Sequence, residues 1–300
     1  MVAHDAGAAR LLFSWLRPVR SQLRCFVQGP ARQILDRERP DISPCEHLEN
    51  CLDGAQLLLS GTGWSSDVEH LARMYAKQRN IPSIAVLDHW VNYQQRFVRQ
   101  GRIALPDGLW VADAEASTLA QRQFPELPVQ ELPNLWLNQL IEDVRRCRRR
   151  QKPQSKQGAA QNLLYLLEPL RDHNTGKPNG EEFAALDYWL EQLPGLMADG
   201  HVQDDKRTIQ LRLRPHPSED PDKYEAWIRS HCHAWPLQMD PHPSLEASLA
   251  HADLTFGCET QALVAAMACD LPAFSTLPPT APPCRLPHRQ LRHLATTNRP

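Results

Sequence analysis

The stretch that decides the fold is Asp253-Leu254-Thr255-Phe256-Gly257-Cys258-Glu259-Thr260-Gln261-Ala262-Leu263-Val264-Ala265-Ala266-Met267-Ala268-Cys269-Asp270-Leu271-Pro272-Ala273-Phe274-Ser275. Asp253–Phe256 predicts a short buried strand. Gly257 opens a tight turn, Glu259–Cys269 predicts a helix, and Pro272–Ser275 predicts a second strand. A strand, a helix and a strand joined by short turns make a parallel βαβ unit. The alanines along the helix let it lie close to a sheet. Its first turn leaves backbone N–H groups unpaired, which together with the helix dipole favour an anion, and Thr260 adds a hydroxyl. The same residues equally suit an ordinary βα unit capped by Thr260.

Working outward, the same rhythm recurs through the second half. Strands are expected at Leu163–Leu167, Thr208–Leu213 and Pro236–Met239, with helices at Glu181–Gln192, Asp222–Arg229 and Ser244–Ala250. The first half repeats it, with strands at Arg24–Gln28, Gln56–Ser60, Ile81–Leu87, Gly108–Ala112 and Val129–Leu132. Helices are expected at Ala8–Leu16, Gly29–Leu35 and Ala114–Gln123, and from the capping run Ser65-Ser66-Asp67 through Arg79. Only Met1-Val2-Ala3 precedes His4, so the first strand is either very short or begins upstream of this start.

Between the halves, Arg145–Lys152 carries six positive charges and runs into Pro, Ser, Gln and Gly. That composition reads as a linker, and the run also suits a patch touching anionic lipid or a phosphorylated acceptor. The expected organisation is α/β, two Rossmann-like domains facing across a cleft: residues 1–144, a basic and polar linker 145–161, residues 162–287, and a polar tail 288–300.

A net charge of −2 gives no global pull toward nucleic acid. Eight cysteines without a Cys-x-x-Cys pair or a secretory leader point to a reduced, cytoplasmic chain. No apolar run is long enough to span a bilayer. His231-Cys232-His233 with His242 lacks an accepted zinc spacing, so no metal site is expected. Gly-x-Gly-x-x-Gly, the Walker lysine loop and the Gly-x-Ser-x-Gly elbow are all absent.

Polar residues gather where strands end, which is where open α/β sheets bind ligands. Arg212 and Arg214 share a strand face, and His216 leaves the strand end between Pro215 and Pro217, which fix the backbone. A rigidly held His beside an Arg suits a phosphate; a strand-end His is also a common structural residue. In the first half three loops leave strand ends: His4-Asp5-Ala6-Gly7, Gly61-Thr62-Gly63-Trp64 and Asp88-His89-Trp90. Asp5 and Asp88 are candidate general bases there, or simple turn and helix caps.

These residues resemble the bacterial glycosyltransferases of the GT-B fold, and more narrowly the sialyltransferase-like and Kdo-transferase-like enzymes of capsule and surface polysaccharide. Arg214-Pro215-His216-Pro217 is similar to their His-Pro motif, whose His meets the nucleotide phosphate. Gly257-Cys258-Glu259-Thr260, with Ala262-Leu263 and Leu271-Pro272, is similar to their Gly-x-Glu-Ser…Ala-Leu…Gly-x-Pro donor motif, with Thr260 for Ser and Asp270 for Gly. The acidic base motif of the sialyltransferases is missing, and Asp5 substitutes by position alone. The resemblance covers residues 162–287 best.

It implies a metal-independent glycosyltransferase with no cofactor, moving a sugar from a CMP- or UDP-linked donor, a CMP-linked nonulosonate among the candidates, to a glycan or lipid-linked acceptor. Arg214, His216, Cys258, Glu259 and Thr260 would hold the donor phosphate. Asp5 or Asp88 would take the acceptor proton, with His4, Gly7, Thr62, Gly63, His89 and Trp90 on the acceptor side. A cytoplasmic protein touching the inner face of the membrane fits that role. The alternatives are a nucleotide-sugar 2-epimerase or hydrolase on the same scaffold, and a non-catalytic relative that binds nucleotide.

Overall fold

The computed structural model describes residues 1–19, 23–63, 66–151, 160–170, 180–203, 208–217 and 219–297. Trp64, Ser65 and the 152–159 part of the expected linker lie outside the described residues. The chain divides into two compact units, Met1–Asn138 and Gln139–Pro300.

In the first unit the strands are β1 (Val2–Ala3), β2 (Phe26–Val27), β3 (Leu58–Ser60), β4 (Ser83–Leu87), β7 (Gly108–Val111) and β8 (Val129–Glu131), with a small hairpin of β5 (Val98–Arg99) and β6 (Arg102–Ile103) after β4. Helices are α1 (Ala6–Trp15), α2 (Gly29–Glu38), α3 (Leu48–Leu52), α4 (Val68–Gln78) and α5 (Ala114–Gln123). The main sheet runs β2-β1-β3-β4-β7-β8 and every pairing in it is parallel. Val2 and Ala3 of β1 are fully buried, with β2 and β3 on either side.

Helix α6 (Leu135–Arg150) carries the chain past the point of division. The basic run Arg145–Arg150, expected as linker, is therefore helical. Leu140 and Val144 are buried one turn apart, while Arg145 and Arg146 pair with Glu142 and Asp143 three residues back. One apolar stripe and two (i, i+3) ion pairs are enough to extend a helix through a charge run.

The second unit holds β9 (Gln161–Leu166), α7 (Glu181–Ala198), β10 (Ile209–Arg214), α8 (Glu225–His231), β11 (Leu237–Met239), α9 (Leu245–Ala250), β12 (Leu254–Gly257), α10 (Gln261–Ala268), β13 (Ala273–Ser275), β14 (Arg292–His293) and α11 (Leu294–Thr297). Its sheet runs β11-β10-β9-β12-β13-β14, all parallel. Numbered within the unit, that order is 3-2-1-4-5-6, the Rossmann arrangement. Around it Tyr165, Trp189, Phe256 and Phe274 form one aromatic core, with ring centroids 4.9–5.3 Å apart. Removing a buried ring such as Trp189 would cost about 3–5 kcal/mol.

Two expectations need correcting. Helix α7 does not stop at Gln192 but runs through Pro194 to Ala198, because Leu193 and Leu196 continue its buried stripe. The expected tail is part of the domain: β14 adds a strand beyond residue 287, and Leu291 and Leu294 are buried. Among the described residues no helix is long and apolar enough to cross a membrane.

Candidate functional site

Each sheet has a switch point, where chain connections leave in opposite directions and a crevice opens at the carboxyl ends of the strands. In the second unit it falls between β9 and β12. Strands β10, β9 and β12 end in register, with Arg214 beside Leu166 and Leu166 beside Gly257. The residues two positions beyond these ends are His216, Glu168 and Glu259. With strands about 4.8 Å apart, three adjacent strand ends bring these loops onto one edge.

Glu168 was missed in the sequence, although it obeys the same strand-end rule. Its carboxyl oxygen accepts the backbone N–H of Glu259 at 2.5 Å, ahead of α10. Burial pushes the Glu168 carboxyl up to about 8; the Glu259 N–H opposes this, the Glu259 and Glu219 carboxylates add to it, and Arg285 draws it back. Thr260 caps α10, its hydroxyl accepting the N–H of Ala262 at 3.3 Å. Glu259 is clamped by Arg285, whose backbone N–H and Nε reach Oε2 at 3.1 and 3.2 Å and whose Nη2 reaches Oε1. Gly257 is required by a close approach, since a Cβ there would sit 2.9 Å from the Leu166 carbonyl oxygen.

The Cys258 side chain turns into the core. Its thiol lies 3.6 Å from the Tyr165 hydroxyl, and burial raises it well above the usual range, so only its backbone faces the turn. Tyr165 in turn bonds Thr276 at 2.6 Å. Arg214 is held from one side: Nη1 donates to Asp240 at 2.9 Å, to Ser248 at 2.8 Å and to the His242 carbonyl at 3.0 Å. Arg212 is buried and shares the fully buried carboxylate of Asp240. Two guanidiniums thus share one carboxylate at this end of β10. His216 is half-buried beside them, and its carbonyl accepts the Glu219 N–H at 2.9 Å. Asp270 adopts φ +61, the left-handed turn that a glycine usually fills and that Asp tolerates.

In the first unit the switch point lies between β1 and β3, and the residues singled out in the sequence gather there. The His4 ring meets Asp5 at 2.7 Å through Nδ1. A Cβ on Gly63 would fall 2.2 Å from Asp5 Oδ2, and one on Gly7 would fall 2.0 Å from Asp88 Oδ2, so both glycines let carboxylates approach the backbone. Asp88 is paired with Arg96 at 3.0 Å, and the same nitrogen reaches the hydroxyl of Thr62 at 3.2 Å. Thr62 also donates to the Val86 carbonyl at 2.9 Å. His89 and Trp90 stand slightly apart. The Trp90 indole donates to both oxygens of Asp113 at 3.0 Å, and His89 Nδ1 accepts the Trp90 N–H.

Four charged residues of this edge were not foreseen: Glu69, Arg73, Arg96 and Arg99. Glu69 is buried and accepts the N–H groups of His4 and Gly63 at 2.9 and 2.5 Å, tying the two loops together. Burial raises its carboxyl, and nearby Asp5 raises it further. Arg73 is equally buried, is lowered by that burial to about 10, and donates to Ser60 and to the Gly61 carbonyl. Arg99 donates to the Gly63 carbonyl at 2.5 Å. Glu69 and Arg73 lie on α4 at positions that composition alone makes look solvated.

Two of the histidines that lack a zinc spacing stack on neighbouring rings. His231 stacks on Trp227 at 4.4 Å and His242 on His251 at 4.2 Å. Among the described residues no group of three His, Cys, Asp or Glu side chains is placed to hold a metal ion.

No family model and no curated protein matches the chain. Solved structures do. UDP-GlcNAc 2-epimerase from Neisseria meningitidis bound to UDP-GlcNAc matches with a TM-score of 0.60 at 10% identity, over 93% of this chain and 82% of that one. S. aureus MnaA with UDP matches with a TM-score of 0.58 at 11% identity, over 92% and 78%. The glycotransferase of kitacinnamycin matches with a TM-score of 0.54 at 11% identity, over 98% and 86%. The chain has the GT-B fold, two Rossmann-like domains. The narrower likeness to sialyl- and Kdo-transferases is not among these neighbours.

Proposed function

We propose that this GT-B chain is a nucleotide-sugar enzyme, and that it transfers the sugar. The observation that carries the reading is the switch point of the second unit, where His216, Glu168 and the Thr260 end of α10 leave three adjacent strand ends. A helix N-terminus beside a strand end that carries an arginine and a histidine suits a phosphate. The Glu168 carboxyl accepts the Glu259 N–H at the head of that helix, an amide a phosphate could also use. His216 and Arg214 then stabilise the departing phosphate, without a metal in this role. Two solved neighbours carry UDP or UDP-GlcNAc, which favours a UDP-linked donor over the CMP-linked nonulosonate suggested by the His-Pro motif. A lipid-linked glycan acceptor at the inner face of the membrane is part of this proposal.

On the first unit Asp5 is the proton acceptor. Asp88 is committed to Arg96, whereas Asp5 has the His4 imidazole beside it, able to receive a proton and pass it on. One observation favours the 2-epimerase reading: a carboxyl near 8 at the donor edge can act as acid or base at neutral pH. Labelled UDP- and CMP-sugars, incubated with and without a glycan acceptor, separate the two. Transfer needs the acceptor and epimerisation does not. Calorimetric titration of UDP and CMP into wild type and His216→Ala tests the donor site. Equal affinities in a folded variant would remove the phosphate role.

A further inference from the structure

The loop that leaves β4 borders a cavity of about 230 Å³ on the flank of the first unit. Its walls combine the rings of Trp90 and Tyr93 with four carboxamides, Asn92, Gln94, Gln95 and Gln123. No lining residue carries a formal charge. A carboxamide donates and accepts at once, as a sugar hydroxyl does. Aromatic rings offer flat apolar faces to the C–H groups of a pyranose. Without a charge in the wall, recognition of a phosphate, a carboxylate or an ammonium group has no partner here. The volume is below the roughly 300–1,000 Å³ of pockets for drug-sized ligands, so it suits one ring rather than a nucleotide sugar.

The cavity is held in shape before anything binds. Arg96 closes the loop by pairing with Asp88 and by donating from Nε to the Val91 carbonyl at 3.0 Å. Asp113 fixes the Trp90 indole while capping α5 through the Ala116 N–H at 2.6 Å. Asn92 takes φ +58, a turn that Asn tolerates, and its carbonyl accepts the Arg96 N–H. Tyr93 is buried, and its hydroxyl has no hydrogen-bond partner among the described residues. A phenylalanine would line the same wall without leaving a buried polar group unsatisfied, so folding does not explain the hydroxyl.

We propose that this pocket binds one ring of an uncharged saccharide. That it is an acceptor subsite rests on the transferase reading; that it binds a neutral pyranose does not. Saturation-transfer NMR on the full chain tests it, with N-acetyl-D-glucosamine and methyl β-D-galactopyranoside as probes and glucose 6-phosphate as the charged control. Both pyranoses should receive saturation, and glucose 6-phosphate should receive less. The double variant Gln94→Ala/Gln123→Ala changes two exposed side chains and should lower the pyranose signal at least fivefold. Tyr93→Phe should lower it too while the protein stays folded. No transfer to either pyranose, an undiminished signal in the double variant, or a preference for glucose 6-phosphate would each overturn the proposal. UDP titrated into the same samples keeps the two readings apart. Pyranose binding without UDP binding removes the donor site alone, and UDP binding without pyranose binding removes this pocket alone.

Discussion

Replacing Glu168 by glutamine isolates the one carboxyl that sits at the head of α10. The variant keeps an oxygen to accept the Glu259 N–H but never ionises. In the wild type the carboxyl is raised from 4.5 to about 8. A raised acid favours the folded state while protonated, so its contribution is complete below its unfolded value and is lost as pH climbs through the folded one. A tenfold change in proton affinity is worth about 1.36 kcal/mol, so the rise from 4.5 to about 8 bounds the loss at about 5 kcal/mol. Urea unfolding of both proteins at roughly pH 5, 7 and 9 reads it out. At the lowest pH the two should differ by a fixed small amount. Toward the highest, the variant should gain on the wild type by up to about 5 kcal/mol, most steeply between about pH 5 and 8. Subtracting the two curves removes every other titrating group. Parallel pH profiles would show that Glu168 ionises as freely in the folded chain as in the unfolded one, and would refute the claim that it is a neutral acid at this edge.

The same geometry sets other outcomes. His216→Ala should weaken UDP binding by roughly tenfold to a hundredfold, the loss of one charge-assisted hydrogen bond, with little change in melting temperature; calorimetry and thermal unfolding check both halves. Asp88→Ala strands Arg96, whose side chain is only 7% exposed, and should cost about 3–5 kcal/mol in urea, whereas Asp5→Asn should spare stability and cut sugar transfer by about 10²–10⁴-fold. Gly257→Ala should destabilise by about 1–3 kcal/mol, because the neighbour it meets is the Leu166 backbone and cannot swing aside. Tyr93→Phe should raise the melting temperature by a few degrees, since it deletes an unsatisfied buried hydroxyl worth about 1–3 kcal/mol; a lower melting temperature would mean that the hydroxyl has a partner.

The parts of this protein that could be read from the sequence are those where one local rule acts alone. A buried parallel strand is a short apolar run, and the residues just past its end lie at the ligand edge. That is why His4, Asp5, Thr62, Gly63 and Asp88 can be placed at one sheet edge from the sequence, and the structure does bring them together. The residues that escaped were set by partners far along the chain. Glu69 and Arg73 look like surface charges on α4, yet they are buried because loop amides 65 and 6 residues away need an acceptor and a β3 hydroxyl needs a donor. The basic run of α6 looks like a linker because its charge hides two buried residues, Leu140 and Val144. The tail looked polar because a two-residue edge strand, β14, has too few residues to show a period. Glu168 is the instructive failure. The rule that found His216 applies to it unchanged, but a lone Glu after Leu167 carries no motif. Its meaning appears only when β12 is laid beside β9 and the head of α10 arrives at its carboxylate. The first turn of α10 then needs an acceptor there, and the chain supplies its own. On this reasoning the Glu168 carboxylate and the donor compete for one amide. Glu168→Gln, which offers only a neutral acceptor to the Glu259 N–H, should therefore bind UDP more tightly than wild type above about pH 8 and no more tightly near pH 5. An affinity gain that is independent of pH would break the link between the two.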